Sequence, residues 1–104
     1  MITIIKIYKD NCPLCKSVGY RLSKMEKTYS NLVVLGYDWE RLPEESKEYY
    51  VKMGVERTPF LVVMDLELLD CVTQKTQLIT EGFTPVRLVE QLEDISGEKL
   101  VIRV

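Results

Sequence analysis

Two cysteines three positions apart, Cys12 and Cys15, are the residues of this sequence best suited to chemistry. In the first turn of a helix, that spacing brings two sulfurs within reach of a disulfide bond. Cys12 would meet the unpaired N–H groups of the helix start, which favour thiolate over thiol and lower the pKa of Cys12; Lys9 and Lys16 add positive charge nearby. Cys15 falls on an apolar helical stripe and should be less exposed. The pattern predicts disulfide exchange in which Cys12 is the nucleophile and Cys15 resolves the mixed disulfide.

A C-x-x-C pair has other interpretations, which the sequence leaves open. It can be half of a zinc site. However, the chain has no histidine and only one further cysteine, Cys71, so a closed site would need a carboxylate or a second chain. The pair could also be inert, although its place between a predicted strand and a predicted helix disfavours this. Cys71 itself is interpreted as a small core residue, with a regulatory thiol as the alternative.

Four segments around this pair predict β-strands. Three are apolar runs, over residues 2–8, 32–37 and 60–64, and the fourth, over residues 71–80, alternates less cleanly. The second is interpreted as a buried parallel strand, the third as a central strand and the fourth as an edge strand. Residues 98–104 could add a short strand or form a tail.

Three periodic stretches between these strands predict helices. The first begins at Pro13, where a missing N–H costs nothing, and the second begins near Pro43 and stops at Gly54. The third has Thr84 as its N-cap residue. Its inward-facing positions are predicted to be Val86, Val89, Leu92 and Ile95. The order β-α-β-α-β-β-α predicts an α/β fold with a four-stranded mixed sheet flanked by helices.

Length and charge limit the remaining possibilities. The 104 residues suit a single domain, and the net charge of −2 gives no general attraction to nucleic acid or anionic membranes. The first residues lack the basic region and cleavage site of a signal peptide, and no apolar run approaches the length of a membrane span. We therefore expect a monomeric cytoplasmic protein without a bound cofactor. In a reducing compartment such as the cytoplasm, a close cysteine pair is more often catalytic or metal-binding than structural.

Four segments together resemble the thioredoxin and glutaredoxin families. Residues 8–15, Y-K-D-N-C-P-L-C, resemble the glutaredoxin signature, with a lysine three residues before the first cysteine. Residues 53–63, M-G-V-E-R-T-P-F-L-V-V, resemble the thioredoxin segment that carries a cis-proline. Asp38 matches an acidic residue that often ends the preceding strand, and residues 81–84 resemble the glycine turn before the last helix. The resemblance implies a thioredoxin-like fold over most of the chain.

The sequence departs from both families in part. The tryptophan and glycine of the thioredoxin W-C-G-P-C motif are absent, and so are the extra strand and helix that precede it. Leu14 replaces the aromatic residue of the glutaredoxin C-P-Y-C motif, and the glutaredoxin double glycine is reduced to Gly82. The sequence thus lies between the two groups.

The resemblance assigns roles to residues beyond the cysteines. It implies that Pro59 is cis and that the backbone of Thr58 pairs with an incoming substrate strand. It also implies a glutathione site, with Lys9 facing the glycine carboxylate and the start of the third helix facing the γ-glutamyl carboxylate. The residues of that helix start are Gly82, Phe83 and Thr84. The electron donor would be glutathione or a thioredoxin reductase.

The resulting hypothesis is a disulfide oxidoreductase that reduces protein disulfides or glutathione mixed disulfides through Cys12 and Cys15. Two alternatives belong to other classes. One is a non-catalytic binding domain that keeps the fold without turnover. The other is a homodimer that binds a metal ion through the two cysteines of each chain.

Overall fold

The strands and helices follow one another in the predicted order. The structure is a computed structural model that describes residues 1–65 and 77–104. A 3-10 turn over Trp39–Arg41 is the addition to the prediction. The other bounds are β1 Ile2–Tyr8, α1 Pro13–Thr28, β2 Leu32–Asp38, α2 Glu44–Lys52, β3 Phe60–Asp65, β4 Gln77–Ile79 and α3 Pro85–Ser96. The part of the predicted fourth strand over 71–76 lies outside the described residues.

The four strands form one mixed sheet in the order β2-β1-β3-β4. Strands β1 and β2 are parallel, because α1 carries the chain back to the starting end of the sheet between them. Strand β3 runs antiparallel to β1, and β4 antiparallel to β3. The prediction of a mixed four-stranded sheet, with β3 inside it and β4 at its edge, is confirmed. Strand β1 is also internal, so the residues that follow it leave from the middle of the sheet.

Apolar side chains cover both faces of the sheet. Alternate residues of a strand point to opposite faces, so Ile2 and Ile4 pack on the side of α1 and α3, and Ile7 packs on the other side. The stripe predicted on α1 supplies the first core with its buried members Val18, Leu22 and Met25. On the second face Phe60 is fully buried, with the rings of Trp39 and Tyr50 at centroid distances of 6.0 and 5.1 Å.

Strand β2 differs from its prediction as a buried strand. It lies at an edge of the sheet, and Leu35 and Tyr37 remain 43% and 50% exposed. An apolar run of this length fits a buried strand, but the strand order leaves β2 with one neighbour. The exposed edge is partly covered, since the Val34 N–H donates a 2.6 Å hydrogen bond to the Glu26 carboxylate.

The inward face of α3 was also predicted incorrectly at its first turn. Val86 is 69% exposed, whereas Leu88 and Leu92 are fully buried. Val89 and Ile95 pack against the same core, as predicted. At about 100° per residue, position 86 is about 200° from position 88 and so faces away from the sheet. Thr84 is the N-cap residue, but its side chain makes no capping hydrogen bond.

The C-terminal residues form a fixed tail with a single bridge to Tyr29 from Ile102. Backbone hydrogen bonds of 2.8 Å join Ser30 N–H to the Val101 carbonyl and Arg103 N–H to the Thr28 carbonyl. The Glu98 carboxylate accepts hydrogen bonds from the Asn31 amide and from the N-terminal amine. These contacts tie the tail to the end of α1 and to the start of the chain.

Among the described residues, no helix is long and apolar enough to cross a bilayer.

The Glu98 carboxyl is expected to titrate below its ordinary pKa of 4.5 in the folded protein. The causes are first the Asn31 hydrogen bond and then the N-terminal amine, both of which favour the charged form. Because its folded pKa is depressed, Glu98 stabilises the fold above its unfolded pKa, and this contribution is lost as the pH falls through the folded pKa. An NMR titration of the side-chain carboxyl should show the shift, and Asn31→Ala should reduce it. An unshifted midpoint in the wild type would contradict the contact.

Candidate active site

The site lies where the central strand β1 passes into α1. Asn11 turns the chain with a φ of 58°, a left-handed conformation that asparagine tolerates better than most residues. Cys12 then takes the N-cap position with an extended backbone, and Pro13 occupies the first turn of the helix. The sequence thereby holds Cys12 at the N-terminus of a sixteen-residue helix.

Cys12 and Cys15 form a disulfide, with their Cα atoms 5.2 Å apart. The prediction that the two sulfurs lie within bonding reach is confirmed. Cys12 is partly exposed, whereas Cys15 is buried, with 3% of its surface accessible. An incoming reactant can therefore meet Cys12 before Cys15.

The helix start directs its donors at Cys12. The Cys15 N–H lies 3.1 Å from Cys12 Sγ and donates to it, and the Lys16 N–H donates to the Cys12 carbonyl at 3.2 Å. The first turn of α1 carries no acidic residue to offset the positive helix end. After reduction, the same N–H and the helix dipole would stabilise negative charge on Cys12 Sγ.

The Cys12 thiol is accordingly expected to have a pKa below the ordinary value of about 8.5. The rate of iodoacetamide alkylation against pH, measured on Cys15→Ser, gives that pKa directly. A peptide of residues 8–16 with the same substitution has the neighbouring charges but no helix, so it is the matched control. A midpoint near 8.5 in the folded protein, or equal midpoints in protein and peptide, would contradict the role of the helix start.

Thr58 and Pro59 lie beside the cysteine pair, directly before β3. Their peptide bond is cis, as the resemblance implies. The Thr58 carbonyl oxygen is 3.9 Å from Cys12 Sγ, and Thr58 is partly exposed while Pro59 is buried. In the disulfide the sulfur carries no proton, so this is a contact; a reduced Cys12 thiol could donate weakly to the same oxygen. The structure thus brings Thr58 to Cys12, and its role in substrate binding remains a prediction.

A basic groove of about 580 Å³ opens next to Cys15. Lys9 lines it, and its ammonium is 3.8 Å from Glu40 in an ion pair whose side chains are both well exposed. Such a pair is weak, so a competing anion could displace Glu40. The full lining is Lys6, Tyr8, Lys9, Asp10, Asn11, Cys15 and Lys16.

Lys6 is the residue of this groove that was not singled out from the sequence. It is half-buried in β1, next to apolar residues on both sides. The sequence signal for Lys6 is its position in the otherwise apolar run Ile4-Ile5-Lys6-Ile7, because charged residues are rare in buried strands.

The turn before α3 is held by contacts of its own. The Phe83 carbonyl accepts a 3.1 Å hydrogen bond from Arg21 of α1, and the Gly82 carbonyl accepts one of 3.0 Å from Gln91. Within residues 1–65 and 77–104, no hydrogen bond or ion pair links Gly82, Phe83 or Thr84 to either cysteine. Their predicted convergence with Lys9 and Thr58 on one glutathione molecule remains a prediction.

Two further sequence interpretations concern cysteine chemistry away from this pair. Cys71 lies outside the described residues, so neither its core role nor its regulatory alternative can be placed. No group of three or more His, Cys, Asp or Glu side chains among the described residues is arranged to hold a metal ion. A metal site shared between the cysteines of two chains remains a prediction.

Solved structures of similar shape include several thioredoxins, although the sequence matches no family model and no curated protein. Oxidised mitochondrial thioredoxin 3 from Saccharomyces cerevisiae is 22% identical over 89% of this chain and 77% of its own, with a TM-score of 0.56. Oxidised thioredoxin from Plasmodium falciparum is 18% identical over 91% and 81%, with a TM-score of 0.58. Thioredoxin f2 from Chlamydomonas reinhardtii is 14% identical over 94% and 82%, with a TM-score of 0.63. The chain therefore has a thioredoxin-like α/β fold.

Proposed function

We propose that this protein is a thiol–disulfide oxidoreductase that works through Cys12 and Cys15. The observation that carries the proposal is their disulfide at the N-terminus of α1, with Cys12 partly exposed and Cys15 buried. That asymmetry suits a nucleophile that meets the substrate and a second thiol that completes the reaction within the same molecule.

The reaction runs from the reduced protein in two exchanges. The Cys12 thiolate attacks one sulfur of the substrate disulfide, whose S–S bond breaks, and the released substrate sulfur takes up a proton. The Cys15 thiolate then attacks Cys12 Sγ, the bond between Cys12 and the substrate breaks, and the second substrate sulfur leaves as a thiolate. Two electrons pass to the substrate, and the protein ends with the Cys12–Cys15 disulfide.

Thr58 is proposed to dock the substrate backbone. Its carbonyl is in contact with Cys12 Sγ, so an extended segment whose disulfide reaches Cys12 would run alongside Thr58. Backbone hydrogen bonds with such a segment are independent of its side chains and would allow many disulfide-containing proteins as substrates.

The proposed partners are these proteins and glutathione, with the protein acting as a cytoplasmic monomer. Its net charge of −2 gives no reason to propose nucleic acid or membrane as a partner. No resident cofactor is needed, because the two cysteines carry the electrons. A glutathione site would use Lys9, Thr58 and the N–H groups of Gly82 to Thr84. The exposed, weak ion pair of Lys9 leaves its ammonium available to a carboxylate.

The choice of donor is tested by reduction of a glutathionylated peptide, driven in parallel by glutathione and by a thioredoxin reductase. We expect glutathione-dependent turnover in the wild type and about a tenfold loss of kcat/KM for glutathione in Lys9→Glu, which turns an attraction into a repulsion. Lys27→Glu, the same charge change at the far end of α1, is the matched control and should stay near the wild type.

Each result of this comparison has a definite consequence. If only the reductase drives turnover, the glutathione site is wrong and the protein is a thioredoxin-type enzyme. If glutathione drives turnover and Lys9→Glu has no effect, the assignment of Lys9 is wrong while glutathione remains the donor. If neither donor drives turnover, although dithiothreitol reduces the Cys12–Cys15 disulfide, the non-catalytic binding domain becomes the better hypothesis.

A further inference from the structure

Lys6 is a positively charged residue in the internal strand β1. It shares the face of β1 on which Ile2 and Ile4 pack against α1, and it is half-buried there. Its ammonium lies 5.0 Å from the centroid of the Tyr8 ring. Among the residues that the structure describes, no carboxylate forms an ion pair with it. The ammonium also lines the basic groove, where it is available to a negative charge that forms during the reaction.

Gly19 makes the room that this ammonium occupies. A Cβ atom added at Gly19 would lie 2.6 Å from Lys6 Nζ, closer than two such atoms can approach. Glycine weakens the interior of a helix, and Gly19 has an ordinary helical backbone. The end of the Lys6 side chain therefore lies against Gly19, and a methyl group at this position would displace the ammonium.

The place of Gly19 on α1 also brings the Lys6 ammonium near Cys15. Residues 15 and 19 are one helical turn apart on one face, where side-chain attachment points lie about 5–6 Å from each other. The ammonium next to Gly19 is thus on the order of 6 Å from the side chain of Cys15. Lys6 and Cys15 also line the same basic groove.

Cys15 needs such a cation more than Cys12 does. It is buried, and burial disfavours a thiolate and raises the pKa of a thiol. The N–H of Cys15 at the helix start is directed at Cys12 Sγ, so that donor serves the other sulfur. The thiolate that must attack Cys12 in the second exchange therefore lacks the stabilisation that the helix start gives to the first.

The other charged and titratable groups of the groove are less well placed for this role. Asp10, the carboxylate in its lining, is exposed and would oppose a thiolate. Lys9 is well exposed, so water screens its charge, and it forms a weak ion pair with Glu40. Lys16 is exposed to solvent, and the Tyr8 ring lies under the Lys6 ammonium. Thr58 and Pro59, which also lie beside the cysteines, are uncharged.

We propose that Lys6 stabilises the Cys15 thiolate and thereby sets the rate at which the mixed disulfide is resolved. The inference rests on the proposed function, since it concerns its second exchange. In that step the Cys15 thiolate attacks Cys12 Sγ, the bond between Cys12 and the substrate sulfur breaks, and the electron pair leaves with the substrate thiolate. Lys6 keeps its proton throughout and supplies positive charge where the attacking thiolate forms.

The test separates the two exchanges with dithiobis(nitrobenzoate), whose released thiolate is coloured. Reduced protein should release a first equivalent at a rate that depends on reagent concentration, and a second at a rate that does not, because Cys15 attacks within the molecule. Any reaction of Cys71 would depend on reagent concentration and is separated in this way. The second rate is measured against pH in wild type, Lys6→Met, Lys6→Arg, Gly19→Ala and the control Lys27→Met, which removes an exposed charge at the far end of α1.

We expect the second rate of Lys6→Met to fall about tenfold at neutral pH. Two unit charges about 6 Å apart at an effective dielectric of about 20 shift an ionisation by about two pKa units, and the greater nucleophilicity of the more basic thiolate recovers part of the loss. The pH midpoint of that rate should rise, so that the deficit disappears in alkaline solution. Lys6→Arg should keep most of the rate. Gly19→Ala keeps the charge of Lys6 but displaces its ammonium, so this variant should lose part of the second rate. Gly19→Ala still tests the proposal if Lys6→Met does not fold.

The opposing results are distinct. An unchanged second rate in Lys6→Met, a loss of the same factor at every pH, or an equal loss in Lys27→Met would overturn the role of Lys6 while leaving the dithiol mechanism intact. A wild type that releases no second equivalent independently of reagent concentration would overturn the proposed function, and this inference with it.

Discussion

Cys12→Ser is expected to abolish disulfide reduction, whereas Cys15→Ser is expected to stop the reaction one step later. Cys12 is the sulfur that a substrate can reach and the one that receives the helix N–H. A serine hydroxyl is not ionised at neutral pH, so its substitution should lower the rate on the order of a hundredfold or more. Cys15→Ser keeps the nucleophile but leaves the mixed disulfide without its resolving thiol.

The two variants should therefore differ in what accumulates. Mixed with a protein that has a single disulfide, Cys15→Ser should collect as a covalent adduct, visible on a non-reducing gel and lost on addition of dithiothreitol. Mass spectrometry should locate the link at Cys12 and not at Cys71. Cys12→Ser is the matched control and should form little adduct. An adduct that forms equally in both variants, or through Cys71, would contradict the assignment of nucleophile and resolving thiol.

Phe60→Ala should cause a large loss of stability, about 3–5 kcal/mol in the free energy of unfolding. Phe60 is fully buried, and its ring meets Trp39 and Tyr50 at the centre of the second core. Truncation removes this apolar contact and leaves a cavity between the sheet and the elements around α2. Since whole domains are stable by only about 5–15 kcal/mol, such a loss is a large fraction of the total.

Urea unfolding of the oxidised protein, followed by circular dichroism, measures this loss as a fall in the midpoint with little change in slope. Val86→Ala is the matched control, because Val86 is 69% exposed, and it should change the stability by less than about 0.5 kcal/mol. If Phe60→Ala does not fold, Phe60→Leu should show a smaller loss of about 1–2 kcal/mol. Equal effects of the Phe60 and Val86 substitutions would contradict the core described here.

Local patterns were enough to predict the elements and the cysteine pair. Pro13 marks the start of α1 because proline suits a first helical turn, and Gly54 marks the end of α2, where the backbone has a φ of 98°. The spacing of Cys12 and Cys15 at such a start led to a disulfide that the structure contains. Each of these inferences depends on a few neighbouring residues, whose preferences the rest of the fold did not override.

Features that depend on the order of the strands could not be predicted in the same way. Strand β2 was predicted to be buried because its residues are apolar, but its place at the sheet edge leaves Leu35 and Tyr37 exposed. Lys6 is a single charge in an apolar strand, and its relation to Cys15 appears only when α1 lies over β1 with Gly19 at the contact. Long-range neighbours of this kind leave no local pattern in the sequence.

The most direct test of the proposed oxidoreductase activity is catalysed reduction of a protein disulfide. Insulin with dithiothreitol as donor is followed by turbidity, with the protein at a small fraction of the insulin concentration, so that each molecule must turn over many times. We expect reduction well above the rate with dithiothreitol alone, and a return to that rate in the Cys12→Ser/Cys15→Ser double variant. A wild type that reduces insulin no faster than dithiothreitol alone, while its own Cys12–Cys15 disulfide is reduced and reformed, would contradict the proposal that this protein is an oxidoreductase of protein disulfides.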